Sequence, residues 1–503
     1  MTILGIGAIL GDAAAALARN GVLLAAVEQK KIARRLRPGE LPLEAIENCL
    51  EIAGIRPDAV DCVALARPVA PEAQTELLEE LRRGFPKARV VAVDHHLAHA
   101  ASAFYASGFG EATVLTLDRS GDFRCGALWR ASGNHLEVEK ELYFPDSPGE
   151  LYGRVTKLLG FEPRADEHKV QWMSAGAEAP YVDTLTAALP LDESGWPTKG
   201  LQAKLEFPAG ARAEEVAASL QHFVEQTVLS MAGKGENLCV AGGLFLNAMT
   251  VAALERSNNY SRVFVQPVAG NAGTALGALF YAWHEVYGEK QRIPFGDLCL
   301  GPEYNSEDIK KVVENCKLRF RYLGTSEEAV DLAIDNLSQD RIVAWMHGRM
   351  EFGPRALGNR SILASPVSPY STENLNVFIK HREPFRKFAA SVPEEEAAKY
   401  FEVGENARFL ATVGRVKPEY KERFGAAILG EDMIRVHTVR REDNPLYWKL
   451  LHAAAKPFGA PVLFNTSFNL FGDPLVCSPR DAVRSFYSSG IDTMFIGQFY
   501  LEK

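Results

Sequence analysis

The chain has 503 residues, 47% of them hydrophobic and 24% charged, too many for one core, so two to four globular domains are expected. Its formal net charge of −9 argues against non-specific binding to nucleic acid, which needs a basic surface, and leaves local nucleotide sites open. No run of 18 apolar residues occurs, so no membrane span is expected.

The chain opens with MTILGIGAILGDAAAALARNG. This stretch lacks a basic leader and contains Asp12, so it reads as strand and turn rather than signal peptide, and a cytoplasmic location is expected. Residues 2–7 form a short apolar strand. Residues 13–28 form a hairpin around Asn20-Gly21, a strong short hairpin signal. Helical segments at 43–53 and 72–85 precede the strand RVVAVD at 89–94. Residues 111–142 then repeat the order strand, acidic turn, hairpin, here around Ser132-Gly133-Asn134. Either such units recur by chance or the chain carries an internal duplication. A duplicated α/β unit with acidic turns suggests a nucleotide-binding fold of the actin and sugar-kinase type.

Two strand–small-turn–helix units follow, at 237–255 and 262–288, with Gly242-Gly243 and GNAG at their turns. Small residues there let a backbone or a ligand approach, or simply make the turn. A linker near residue 298 divides a first domain, 1–298, from a second, 299–503. The seven cysteines show no CxxC pair, which predicts free, mostly buried thiols in a reducing compartment.

Three histidines fall in DHHLAHAASAFY. With a helix starting at Asp94, His95 and His99 share a face, and His96 points about 100° away. Two imidazoles four apart form half a transition-metal site, and Asp118 at the end of ATVLTLD can add a carboxylate. Two histidines and a carboxylate suit iron(II) or a similar divalent ion. The same spacing suits buried histidines satisfied by hydrogen bonds.

The segment HGRMEFGPRALGNRSILASP carries Arg349, Arg355 and Arg360 among glycines. Arginine grips phosphate or carboxylate with a planar fork. A second basic patch, KHREPFRKFAAS, holds Lys380, Arg382 and Arg386. FNTSFN adds Asn465, Ser467 and Asn469. These predict a site for a di- or triphosphate and an acyl phosphate. A solvated basic face is the alternative.

These segments resemble the NodU/CmcH family of O-carbamoyltransferases. The resemblance runs over nearly the whole chain, through DHHLAHAASAFY, GELYGRVTKLLGF, AGGLFLN, QPVAGNAGTALGAL, GRMEFGPRALGNRSIL, HREPFRKFAASV and FNTSFNLFGDPLVCSPRDAVRSFYSSGID. It implies an α/β fold with a duplicated actin- and sugar-kinase-like N-terminal domain, similar to the enzyme that makes threonylcarbamoyl-adenosine in tRNA. It also implies a YrdC-like C-terminal domain that converts carbamoyl phosphate and ATP, with Mg2+, into carbamoyl adenylate. The first half would pass the carbamoyl group to the hydroxyl of a small molecule. By position, the resemblance makes His95, His99 and Asp118 ligands of an iron-type metal and sets Asn271 beside them. Gly242, Gly243 and Asn247 would contact adenosine. Arg349, Arg355, Arg360, Lys380, Arg382 and Arg386 would neutralise phosphate charge, with Asn465, Ser467 and Asn469 as polar contacts. Partners are a small-molecule acceptor and a second subunit, identical or homologous; no nucleic acid or membrane is expected.

The sequence departs from the family pattern mainly in its first half. The family's His-Asp after the first strand is Gly11-Asp12 here, so Asp12 or His96 becomes the candidate base. Its GDAG turn is GNAG, putting an amide, Asn271, where a carboxylate is usual. DGVGE reads DRSGD, with Arg119 beside Asp118; KVMGLAPYG reads KVQWMSAGA, and EERFTR reads EQKKIAR. In the second half, Lys387 and Ala390 replace prolines. Three readings follow: an active O-carbamoyltransferase with a modified acceptor site, an enzyme that makes the adenylate and hands it on, or a degenerate partner of an active homologue. A tRNA-modifying enzyme is disfavoured by the acidic charge and by the C-terminal match.

Overall fold

A computed structural model describes all residues except 36–37, 68–70, 199, 202–203 and 471. The chain divides into two compact units, Met1–Gln29 with Arg35–Phe295, and Lys30–Arg34 with Gly296–Lys503. A contiguous division would not anticipate the five residues Lys30–Arg34 in the second unit. They join it because Lys31 Nζ donates to the carbonyls of Glu351 and Gly353 (2.9 and 2.6 Å), and Arg34 Nη1 to those of Pro474 and Leu475 (3.1 and 2.9 Å).

The first unit holds two five-stranded sheets. One comprises β1 (Thr2–Gly7), β2 (Ala14–Arg19), β3 (Val22–Glu28), β4 (Cys62–Ala66) and β5 (Arg89–Val93), in the order β3-β2-β1-β4-β5. The other comprises β6 (Glu111–Gly121), β7 (Arg124–Ser132), β8 (His135–Tyr143), β9 (Gly235–Ala241) and β10 (Tyr260–Val265), in the order β10-β9-β6-β7-β8. The two orders are the same when β6 is set on β1. In each sheet the first three strands pair antiparallel and the last two add in parallel. Chance recurrence of a hairpin does not reproduce five strands with their directions, so the unit is a duplication. This is the duplicated architecture of actin and the sugar kinases. The β2–β3 turn puts Asn20 and Gly21 at φ +49° and +78°, the left-handed pair that a two-residue hairpin of this hand requires.

Small residues bring the halves of this unit together. A Cβ on Gly277 would lie 1.7 Å from the Ala98 carbonyl, and one on Gly5 2.1 Å from that of Ala275. The glycines of GNAGTALGAL thus let helix Thr274–Tyr281 press against helix His95–Ser107 and strand β1. That close crossing carries Asn271 up to His99.

The second unit is one ten-stranded mixed sheet. In chain order it contains β11 (Arg321–Tyr322), β12 (Val343–Met346), β13 (Arg360–Ala364), β14 (Ala389–Pro393), β15 (Phe401–Glu402), β16 (Gly414–Val416), β17 (Met433–Val439), β18 (Leu463–Ser467), β19 (Thr493–Ile496) and β20 (Phe499–Glu502). Their order across the sheet is β11-β20-β19-β12-β13-β18-β14-β17-β16-β15. Alternation sends Ala344, Ile362, Ala390, Val436 and Phe464 to one core and Val343, Leu363, Val439 and Leu463 to another, under helices Ser326–Ser338 and Pro445–Phe458. No helix among the described residues is long and apolar enough to cross a membrane. All seven cysteines are free, five of them buried.

Candidate functional sites

The first site lies at the start of helix His95–Ser107. Asp94 caps that helix, its Oδ1 accepting from the amides of His96 and Leu97 (3.2 and 3.4 Å). Its Oδ2 meets Arg67 and Arg124 (3.1 and 2.6 Å), which fixes the cap. His95 Nε2 then lies 2.8 Å and His99 Nε2 3.0 Å from the same oxygen, Asp118 Oδ2, with the rings 4.7 Å apart. Asn271 stands beside His99. Ligand atoms of His95, His96 and Asp118 all lie within 4.8 Å of one another.

His96 is therefore inside the cluster rather than turned away from it. A rotation of about 100° would expose a residue on a surface helix, but here strand β6 covers that side too. His96 Nδ1 contacts Thr116 Oγ1 at 3.0 Å, the residue is fully buried, and its Nε2 has no hydrogen-bond partner.

The glycines around Asp118 orient it. Gly243 N–H donates to Asp118 Oδ1 (2.6 Å), and a Cβ on Gly242 would lie 2.2 Å from the Leu117 carbonyl at φ +107°. A Cβ on Gly121 would come within 2.3 Å of the His95 ring. Sequence reasoning missed Gly121, although it lies in the quoted DRSGD turn. Asn247 caps helix Ala248–Arg256 through Met249 N and Thr250 N (both 3.1 Å) and donates to Gln221 (2.8 Å). The geometry thus gives Gly242, Gly243 and Asn247 structural work, where the resemblance implied adenosine contacts.

Electrostatics complete this site. Burial raises the Asp118 pKa, but His99 and His95 outweigh it and hold the carboxyl well below the usual range. Burial lowers His95, yet Asp118 leaves it raised overall. His99 is lowered by burial against the pull of Asp118, and His96 falls to about 3 through burial and the neighbouring His95. A base of that strength takes few protons at neutral pH, which suits His96 to metal ligation better than to general-base work. Arg119 does not reach Asp118 with its charge: its Nε pairs with Glu150 (2.6 Å), which also holds Arg154 (3.0 Å). Asp12 is half-buried in the turn between β1 and β2. Elsewhere in the same unit, a groove of about 780 Å³ is lined by Leu41, Ile46, Leu50, Leu81 and Phe85, apart from every residue above.

The second site is cationic. Of the three loop arginines, two are committed to backbone. Arg360 is fully buried, and its Nη1 donates to the carbonyls of His347, Gly348 and Asn359 (2.9, 3.1 and 3.0 Å). Arg349 donates to those of Leu300 and Gly301 (2.6 and 3.0 Å). Both hold the loop in shape, where the resemblance implied that they neutralise phosphate charge. Glu351, not singled out from sequence, folds the loop from inside: its Oε1 accepts from the amides of Leu357, Asn359 and Arg360 (2.8, 2.8 and 3.2 Å). Lys380 is a tie as well, donating to Ser467 O (2.5 Å), Asn469 O (3.0 Å) and Asn469 Oδ1 (2.7 Å). Asn465 donates to Ala356 O at 3.1 Å.

The remaining arginines converge. Arg355, Arg382 and Arg435 are each depressed, after burial, by arginine neighbours that in every case include Arg386. Burial and Arg386 take Arg355 to about 10 and Arg382 to about 9; burial, then Arg355, Arg382 and Arg386, hold Arg435 well below its usual value. Arg382 Nη2 is buried without a hydrogen-bond partner. Glu383 is 3.7 Å from Arg386 and offsets part of this charge. Sequence reasoning missed Arg435. Its signal was the alternation in MIRVHTV, where Arg435 and His437 occupy the face opposite Ile434 and Val436.

Four guanidinium groups gathered in a low-dielectric site, with Glu383 beside Arg386, have the charge to suit a polyanion. A histidine–carboxylate cluster on a duplicated actin-type unit adds a second, separate centre. A cationic cluster and a histidine–carboxylate cluster in one chain suit group-transfer chemistry.

Comparison with known proteins gives the class its name. Residues 334–503 match the Carbamoyltransferase C-terminus family, and residues 65–191 and 192–280 match the Carbamoyltransferase N-terminus family. An uncharacterized protein of Synechocystis is 31% identical, covering 100% of this chain and 96% of its own. Nodulation protein NolNO of Sinorhizobium fredii is 32% identical over 98% of this chain and 79% of its own. The 3'-hydroxymethylcephem-O-carbamoyltransferase of Amycolatopsis lactamdurans is 28% identical over 75% of this chain and 74% of its own. The chain belongs to the carbamoyltransferase family and is a transferase.

Proposed function

We propose that the protein is an ATP-dependent O-carbamoyltransferase with a small-molecule hydroxyl as acceptor, activating the carbamoyl group in the second unit and transferring it in the first. The observation that carries this reading is the cluster Arg355, Arg382, Arg386 and Arg435, whose charges act on one another in a buried setting and would be offset by a bound anion. Carbamoyl phosphate and ATP-Mg2+ supply such anions. In the activation, water cleaves carbamoyl phosphate to carbamate and inorganic phosphate. A carbamate oxygen then attacks the α-phosphorus of ATP, the bond to the β-phosphate breaks, and pyrophosphate leaves. The arginines bind the phosphate oxygens and stabilise charge developing on the leaving group. In the transfer, the acceptor hydroxyl attacks the carbamoyl carbon and AMP leaves. Keeping bulk water from the adenylate prevents its hydrolysis.

In the first unit, His95, His99 and Asp118, with His96 and Asn271 beside them, suit a divalent metal of the iron type. The orphaned His96 Nε2, the His95 and His99 imidazoles and the buried carboxylate are a donor set of that chemistry. Such an ion would polarise an oxygen of the carbamoyl adenylate. In this reading Asp12 takes the acceptor proton, since glycine at position 11 carries no base. The acceptor class follows the small-molecule hydroxyl that the cephem enzyme's name describes. Purified protein mixed with ATP and carbamoyl phosphate should release pyrophosphate, and Arg435→Met should abolish the release. No release from the wild type would leave the reading of a degenerate partner subunit.

A further inference from the structure

One face of the sheet in the second unit changes character along its length. At one end Val343, Leu363 and Val439 lie in the apolar core. At the other, Asn465, Ala389 and Arg435 stand in register across β18, β14 and β17, so their side chains share that face. Ala389 is a short side chain between two long polar ones. The row therefore has a low point flanked by an amide and a guanidinium.

The orientation of the amide is fixed by its neighbours. Asn465 Nδ2 donates to Ala356 O (3.1 Å) and to Ser391 Oγ (3.3 Å). The Ser391 hydroxyl is then directed to His437 Nδ1, 3.1 Å away. Burial takes His437 to about 3, so this imidazole is neutral and free to accept. Turning the Asn465 amide over would set its oxygen against the Ala356 carbonyl. Its Oδ1 thus faces away from both partners, and it is buried without any hydrogen-bond donor. The residue is 3% exposed. Buried acceptors are almost always satisfied, and an orphan beside a ligand site waits for a donor on the ligand.

We infer that Asn465 determines specificity: its Oδ1 accepts an N–H from the carbamoyl amide while the phosphate sits on the guanidinium cluster. This rests on the reading that carbamoyl phosphate is a substrate. Arg355 precedes Ala356, whose carbonyl Asn465 holds, and Arg435 stands one strand beyond Ala389, so anion and amide are read side by side. Acetyl phosphate has similar charge and size but a methyl in place of the amide. Bound there, it leaves Oδ1 buried and unpaired, and a site built to hydrogen-bond a substrate N–H rejects the analogue lacking it.

The test is calorimetric binding of carbamoyl phosphate, acetyl phosphate and inorganic phosphate to the full chain. The wild type should bind carbamoyl phosphate roughly 10–100-fold more tightly than acetyl phosphate. Asn465→Leu should bring the two within about threefold, chiefly by weakening carbamoyl phosphate. Ser391→Ala, which removes the neighbour but leaves Oδ1, should keep the preference. Equal affinities in the wild type overturn the inference even where inorganic phosphate binds, and so does a preference that survives Asn465→Leu. If inorganic phosphate itself does not bind, the anion site fails and takes the inference with it.

Discussion

The two centres handle buried charge in opposite ways. Around Asp118, one carboxylate is met by His95, His99 and the Gly243 amide, so charge and donors nearly balance. Around Arg435, four guanidinium groups face one another with Glu383 as the carboxylate that offsets them. The first arrangement is internally hydrogen-bonded, and on the proposed reading its donors would hold a metal. The second gathers like charge, which a polyanion would relieve. On the proposed reading the two units bind ligands of opposite sign.

The comparison breaks first at the histidines. His95→Ala with His99→Ala should abolish stoichiometric divalent-metal binding, a loss of at least about 100-fold in affinity by metal titration. Inorganic phosphate binding should be untouched. At the other centre, Arg435→Met should weaken inorganic phosphate roughly 10–100-fold by calorimetry. Because it removes like-charge repulsion, it should do so without lowering the melting temperature. A purely structural arginine would lower it.

Glu351→Ala separates the scaffold of the cationic loop from its ligand contacts. It strips an acceptor from three buried amides, so chemical denaturation should show a loss of about 3 kcal/mol. Glu351→Gln keeps an acceptor oxygen and should lose less. The smallest effect concerns pH. Arg382 is depressed to about 9 in the ligand-free protein, so it loses its proton as pH rises through that value, and anion affinity falls with it. A bound anion favours the charged form. At pH 9, where inorganic phosphate is already the dianion, its binding should therefore take up protons, as read from calorimetry in buffers of different ionisation enthalpy.

The sequence made the duplication legible where a strand, an acidic turn and a hairpin recur at 2–28 and 111–142, because period-two patterns and Asn-Gly or Gly-Asn turns act locally. The parallel strands β4, β5, β9 and β10 complete the duplication; β5, β9 and β10 were legible as strands, but their pairing beside β1 and β6 has no local signature. His95 and His99 were legible from helical spacing. His96 was misplaced, because spacing gives a direction around a helix but not what packs there. Arg349, Arg355 and Arg360 look alike in sequence. Only the carbonyls within reach of each guanidinium separate the two that hold the loop from the one that faces the cluster. Arg435 escaped notice as a lone charge on a strand. Its neighbours across the sheet, Ala389 and Asn465, lie 46 and 30 residues away in the chain, beyond any local pattern.

The central claim is that Arg355, Arg382, Arg386 and Arg435 form the receptor for the activated carbamoyl donor. Crystals soaked with carbamoyl phosphate test it directly. The account predicts phosphate density within hydrogen-bond reach of these guanidinium groups, including Arg382 Nη2. Density that settles elsewhere, with the four arginines unchanged and empty between them, would contradict it.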